Sequence, residues 1–182
     1  MDKQTIRAEM RTRRREFVRS LDADRRARQQ RDLAEAVFAQ IPSEGFVASY
    51  CAVGDEIDPA LISEALGERL ALPFFASPEA IMTFRAADGV FEAGPFRIPQ
   101  PARNAPQVEP DVLLVPLVAA DLHRNRLGQG KGHYDRALSA LSAQKPIRAI
   151  GLAWDVQIVD RLPADSWDVP LDLVVTPTRI LR

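Results

Sequence analysis

The chain has 182 residues, 46% of them hydrophobic, and a formal net charge of −1, which suits one well-cored domain and gives no global pull toward nucleic acid or anionic membrane. A single cysteine, Cys51, excludes an internal disulfide, and His123 and His133 alone make no zinc cluster. The longest apolar run, near Leu113 to Ala120, falls far short of the roughly 20 residues that span a bilayer, and the charged N-terminus lacks a signal peptide's apolar core, so a cytoplasmic protein with no membrane partner is expected.

Residues 1–31 hold Lys3 and ten arginines, including the run Arg13, Arg14, Arg15. Two helices are predicted there, broken near Ser20, Leu21 and Asp22, with Ser20 or Asp22 as cap of the second. Ile6, Met10 and Phe17 give the first helix a core-facing stripe. Its arginines read as a solvated face paired with Glu9, Glu16 and Asp24. Lys3 and Arg7 stand apart: four residues apart and on one helix face, they could reach a nucleotide phosphate together. Further along, strands are predicted over Phe46 to Val53, Arg69 to Phe75, Ala80 to Arg85, Asp111 to Ala119, Ile147 to Trp154 and Leu171 to Thr176. Pro59 to Leu66 and Tyr134 to Ala143 read as crossover helices. The polar, Pro-rich stretch Pro99 to Val108 reads as a surface loop. This order predicts an α/β single domain, a mainly parallel sheet with helices on both faces and an N-terminal helical segment, with ligand beyond the strands' carboxyl ends.

The most informative stretch is Asp121 to Arg136, DLHRNRLGQGKGHYDR, between the apolar run Asp111 to Ala120 and a predicted helix. Gly128, Gly130 and Gly132 alternate, with Arg126 before them and Lys131 among them. Glycines let backbone N–H groups approach an anion with no Cβ in the way. The helix N-terminus adds its dipole and the two cations add full charge. The same loop could be only a tight turn between strand and helix, and its spacing fits neither the Walker pattern nor the dinucleotide fingerprint. Asp135, in the first helical turn, either complements the dipole or ligates magnesium beside phosphates.

The motif RLGQGKGHYDR, preceded by VPLVAAD, resembles the signature of 5-formyltetrahydrofolate cyclo-ligases (methenyltetrahydrofolate synthetases). Further segments fall in that family's order: KQTIR at Lys3 to Arg7, YCAVGDEIDPAL at Tyr50 to Leu61, GPFRIPQP at Gly94 to Pro101, and the ending from Gly151 to Thr176 with its Gln157 and Asp168. The resemblance spans nearly the whole chain. The departures are Ala120 where the family has Phe, Leu117 and Asn125 where it often has Gly, His133 for an aromatic, Trp167 for His, and Gln100 for Glu. Ala120 and Trp167 bear on pocket shape more than on reaction type.

The resemblance implies ATP and magnesium as cofactors and 5-formyltetrahydrofolate as substrate, cyclised to 5,10-methenyltetrahydrofolate with release of ADP and phosphate. It places the nucleotide on Lys3, Arg7 and the run Arg126, Leu127, Gly128, Gln129, Gly130, Lys131, Gly132, His133 and Tyr134, with Arg126 and Lys131 as catalytic cations. It places the folate on Cys51, Glu56, Gln129, Gly130, Lys131, Gly132 and His133, and makes Asp168 a second magnesium ligand with Asp135. Taken by themselves, Asp55 to Asp58 could simply be a turn that caps the helix starting at Pro59, Cys51 could be a small buried hydrophobe, and Asp168 sits in an ordinary polar turn. Trp154 and Trp167 read as core residues. The competing functions are an RNA-associated module using the N-terminal arginines, weakened by the scarcity of aromatic stacking residues there, and a sugar-phosphate or acyl-CoA enzyme on a similar scaffold. A monomer is the default, with small molecules as the partners.

Overall fold

Asp2 opens the first helix: one oxygen of its carboxylate accepts from Gln4 N and Thr5 N at 2.8 and 2.9 Å, satisfying two of the helix's orphan donors. The computed structural model describes residues 2–182 apart from Asp88, Ala164, Ser166 and Trp167, and of Phe96 the backbone alone. Helix α1 (Lys3–Ser20) stops at extended Leu21, and α2 (Ala23–Phe38) begins under Asp22, whose carboxylate takes Arg25 N at 2.7 Å. Asp22, not Ser20, is therefore the cap.

The strands in chain order are β1 (Val47–Ala48), β2 (Leu70–Phe74), β3 (Thr83–Ala86), β4 (Phe91–Ala93), β5 (Pro99–Pro101), β6 (Val112–Pro116), β7 (Ala119–Asp121), β8 (Arg126–Leu127), β9 (Arg148–Leu152), β10 (Ile158–Val159), β11 (Leu173–Val175) and β12 (Ile180–Leu181). Helix α3 (Ala60–Leu66) follows β1, and α4 (His133–Ser142) precedes β9. Among the described residues the main sheet runs β12-β11-β9-β6-β1-β2-β3, parallel through its centre and antiparallel only at its two edge pairs.

Alternate residues of each central strand face opposite ways. Val112, Leu114, Ile150, Leu152, Leu173 and Val175 pack under Leu33 and Val37 of α2, Ile62 and Leu66 of α3, and Val18 of α1. Leu113, Val115, Ala149 and Val174 face Ala137, Leu138 and Leu141 of α4. The sheet is thus mainly parallel with helices on both faces, as the sequence predicted. The N-terminal half of α1 leaves the main sheet: Met10 packs with Val118, Ala119, Leu127 and Leu162 on a small sheet of order β10-β7-β8. Burying Met10 and Leu127 contributes roughly 2 kcal/mol each, and this apolar seam fixes where Lys3 and Arg7 fall.

The run predicted as one strand from Asp111 breaks in two. Pro116 ends β6 opposite Leu152, and the chain re-enters as β7 in the small sheet, so a hairpin stands between the central strand and the glycine loop. Asp121, fully buried, organises that hairpin. Its carboxylate accepts from His123 N, Asn125 N, Asn125 Nδ2 and Leu162 N, each at 2.9 Å, which compensates the cost of burying an acid. Pro99 to Val108 also differs from its predicted surface loop. It begins as β5, paired with β4, and buries Gln100, Ala102 and Ala105.

Candidate active site

Spatially β1 lies between β6 and β2, so the chain winds to one side from β1 to β2 and to the other from β6 to β9. Open α/β sheets bind ligands at such a switch point, beyond the strands' carboxyl ends. A cavity of about 940 Å³ opens there, walled by Tyr50 and Cys51 after β1, Pro73 and Phe75 at the end of β2, and Pro116 of β6.

The glycine loop forms its polar rim. Gly130 (φ +97°) and Gly132 (φ +66°) occupy the left-handed region that side chains other than glycine's tolerate poorly. Gly132 is the N-cap of α4 with no side-chain cap, so that helix end presents backbone donors at the loop. Lys131 is exposed on the rim, and its carbonyl is held by Arg136 Nη1 at 3.0 Å. Arg136 Nη2 also lies 3.1 Å from His133 Nδ1, and the His133 ring meets Phe75 edge-on at 5.0 Å. Burial, then the charges of Arg136 and Lys131, hold the imidazole below its ordinary pKa.

Helix α1 supplies a second wall from one face. Arg7 Nε donates to Gly128 O at 2.9 Å, and Arg11 donates twice to Gln129 Oε1, at 2.6 and 3.2 Å. Gln129 then passes its amide to Glu56 Oε1 at 3.1 Å, while Glu56 Oε2 takes Val53 N at 3.0 Å. Glu56 is a buried carboxylate, 8% exposed, so it is a pocket residue, and Asp58 is the one that caps α3, through Ala60 N at 3.0 Å. Lys3 binds Asp165 at 2.7 Å and Asp168 at 2.5 Å. Burial raises the Asp168 carboxyl, but the Lys3 contact, Asp165 N–H and Arg126 together outweigh it and the net direction is down.

Arg126, its side chain 5% exposed, is committed to Asp135 through Nη2 and to Val169 O through Nη1 at 2.5 Å. Burial lowers its pKa, opposed by the charges of Asp135 and Asp168, so both carboxylates converge on this guanidinium. Among the described residues no group of three or more His, Cys, Asp or Glu forms a metal cluster. Two carboxylates are nonetheless a suitable donor set for magnesium, which takes one or two and completes its shell from phosphate and water. The arrangement fits an ion arriving with phosphate rather than one held in a protein cage.

The far end of the cavity is apolar: Pro73, Phe75, Met82, Pro95, Ile98 and Pro99, with Tyr134 and Cys51 between it and the loop. Burial pushes the Cys51 thiol and the Tyr134 phenol above their ordinary ranges, so both stay neutral. Every site residue expected from the sequence, from Lys3 to Asp168, lines this one cavity.

The 5-formyltetrahydrofolate cyclo-ligase family profile matches residues 1–177. The chain belongs to this family. It is accordingly an enzyme, a ligase of folate metabolism. It is 33% identical to the 5-formyltetrahydrofolate cyclo-ligase of Escherichia coli K12 over 144 residues, 74% of this chain and 79% of that protein. Its fold matches the solution structure of a 5,10-methenyltetrahydrofolate synthetase from Aquifex aeolicus with a TM-score of 0.76 at 28% identity, covering 97% of this chain and 92% of that one. A synthetase structure from Mycoplasma pneumoniae matches with a TM-score of 0.72 at 25% identity, covering 97% and 99%.

Set beside the family pattern, the departures fall unevenly. Ala120, on β7, is fully buried in the core cluster shared with the sheet and α4 and does not line the cavity, which corrects the expectation that it shapes the pocket. Trp167 lies outside the described residues. Gln157 is buried away from the cavity and holds Leu117 O and Val118 O at 2.8 and 3.1 Å. Trp154 is core, its ring tilted against Phe17, as expected. The N-terminal arginines are not one solvated face: Arg14 is buried, with Nη1 3.4 Å from Leu117 O, and Arg15 lies 3.7 Å from Asp55 rather than beside a helical acid. Sequence reasoning missed Arg11, Asp165 and the wall carried by β4 and β5. Arg11 had a signal, since it continues the spacing of Lys3 and Arg7 by one more turn.

Proposed function

We propose that the chain, working as one domain and as a monomer in the cytoplasm, closes the ring of 5-formyltetrahydrofolate to give 5,10-methenyltetrahydrofolate, using ATP and magnesium and releasing ADP and phosphate. The observation that carries the reading is the gathering of Lys3, Arg7, Glu56, Arg126, the glycine loop, Asp135 and Asp168 around one cavity. Its volume of about 940 Å³ stands at the upper end of small-molecule sites, as two substrates side by side require. Among the described residues no helix is long and apolar enough to cross a membrane.

A formyl amide is a poor electrophile whose oxygen leaves badly. In the proposed reaction that oxygen accepts the terminal phosphoryl group of ATP, the second folate nitrogen attacks the activated carbon, and phosphate departs with the oxygen. The protein positions and neutralises charge. Lys131 and the loop amides hold the transferring phosphoryl group, while Lys3 and Arg7 hold the rest of the triphosphate. Arg126 orients Asp135, and Asp135 with Asp168 would hold magnesium, which supplies charge neutralisation on phosphate oxygens. Glu56 accepts paired N–H groups from the pterin, a role suited to a carboxylate. Cys51, Gln129 and His133 complete the folate side. The pairs Lys3 with Asp168 and Gln129 with Glu56 exchange partners when substrates enter.

Purified protein given 5-formyltetrahydrofolate, ATP and magnesium is expected to generate the near-ultraviolet absorbance of methenyltetrahydrofolate only when all are present. Equal turnover without nucleotide would exclude the mechanism.

A further inference from the structure

The hairpin of β4 and β5 carries a buried side chain to which the mechanism above gives no part. Gln100 is 4% exposed and makes three well-placed hydrogen bonds. Its carbonyl oxygen accepts Phe75 N at 3.1 Å, and its amide donates to Phe75 O at 3.3 Å and to Glu92 Oε1 at 3.1 Å. It thus grips both backbone polar groups of one residue, an extra rung between the hairpin and the end of β2. The other oxygen of Glu92 takes Arg103 N at 3.0 Å, so that carboxylate is fixed from two sides. The hydrogen bonds from Gln100 and Arg103 N hold the Glu92 carboxyl below the usual range, which keeps it an acceptor. A Cβ on Gly94 would come within 2.7 Å of both Gln100 Oε1 and Ile98 O, so the hairpin leaves room for the amide only because residue 94 is glycine.

What Gln100 grips matters because of where Phe75 points. The Phe75 ring lines the apolar end of the cavity and meets His133, the residue that follows the glycine loop. His133 is joined through Arg136 to the carbonyl of Lys131.

We propose that Gln100 is a positioning residue for the folate, holding Phe75 so that its ring forms the wall against His133, and that Glu92 makes glutamine the side chain this position requires. The proposal rests on the cyclo-ligase reading for its substrate. A glutamate at 100 has no donor: it would set one carboxylate against that of Glu92 and another oxygen against Phe75 O. A methionine would keep the volume and lose all three bonds.

The test compares Gln100→Met, Gln100→Glu and Gln100→Glu combined with Glu92→Gln. The double variant reverses the pair, with the amide at 92 donating to the carboxylate at 100 and still accepting Arg103 N. The single variants are expected to raise KM for 5-formyltetrahydrofolate by on the order of tenfold, with kcat and the KM for ATP within about twofold of wild type. The double variant should recover the share of the glutamate variant's loss that comes from Glu92, while the bond to Phe75 O stays lost. The second readout needs neither substrate nor catalysis. His133 is one of two histidines, and its imidazole proton resonances carry the ring current of Phe75. They should shift in both single variants and move back toward the wild-type position in the double one. A methionine variant with wild-type KM and unmoved His133 resonances overturns the proposal, as does a double variant no better than Gln100→Glu. If the wild type makes no product, the cyclo-ligase reading fails, and the His133 resonances alone decide whether Gln100 positions this wall.

Discussion

Arg7 Nε donates to the carbonyl of Gly128 at 2.9 Å, and the same guanidinium stands 3.5 Å from where a Cβ on Gly130 would lie. Helix α1 and the glycine loop are therefore a single working surface, although 121 residues separate their partners in the chain.

Gly130→Val should disable the site by two routes. A branched residue at φ +97° is strained, and its side chain would stand against Arg7 and cover the loop backbone. Lys131→Ala removes charge from the same rim without touching the backbone. Both should lower turnover by on the order of a hundredfold while circular dichroism reports an intact fold. Wild-type rates in both would reduce the loop to a turn.

Asp135→Asn and Asp168→Asn should each move the magnesium midpoint upward by about tenfold or more, since a neutral amide is a weak magnesium ligand. They should differ in a second respect. Asp168 also holds Lys3 at 2.5 Å, a pair that ATP has to displace, so Asp168→Asn should leave the KM for ATP unchanged or lower it, whereas Lys3→Ala should raise it. Lys3→Ala should leave the magnesium midpoint where it was. Unmoved midpoints in both aspartate variants would remove the metal assignment.

Arg14 should behave unlike its neighbours. Its buried stem packs under the site, and its guanidinium reaches Leu117 O, so Arg14→Ala should cost about 2 kcal/mol in a urea melt. Arg13→Ala and Arg15→Ala should each stay within about 0.5 kcal/mol, because exposed side chains and a 3.7 Å surface pair contribute little. Equal losses at all three positions would contradict the burial of Arg14.

The His133 titration should have its midpoint below the ordinary histidine value of about 6.5, since burial and then Arg136 and Lys131 disfavour the cation. The sign follows: the folded pKa is depressed, so its contribution to stability is full above the unfolded value and is lost as pH falls through the folded one. His133→Phe should remove that part of the acid sensitivity just below neutrality. A midpoint at or above the ordinary value, read by imidazole resonances, would refute the electrostatics of the rim.

The parts of this site legible in the sequence are those whose chemistry is local. Three glycines with two cations, and Lys3 with Arg7 one turn apart, were picked out because short-range spacing sets their local geometry, and they do line one cavity. The central strands were legible from apolar runs, with ends misplaced where Pro116 stops pairing and the chain changes sheets. Gln100 was not legible. Its partners Phe75 and Glu92 lie 25 and 8 residues away, and a stretch rich in proline looks like loop until a neighbouring strand pairs with it. Arg14 was hidden in a run of identical residues, where only the helix's seat on the sheet decides which one turns inward.

The seat of α1 also orders events during synthesis. Translation delivers this helix well before the groups that receive it, Gly128, Gln129, Asp165 and Asp168. A cationic, half-apolar segment must therefore wait through most of translation before its docking place exists. The cavity is completed only when α1 meets residues made 118 to 165 positions later, so a nascent chain arrested midway lacks it.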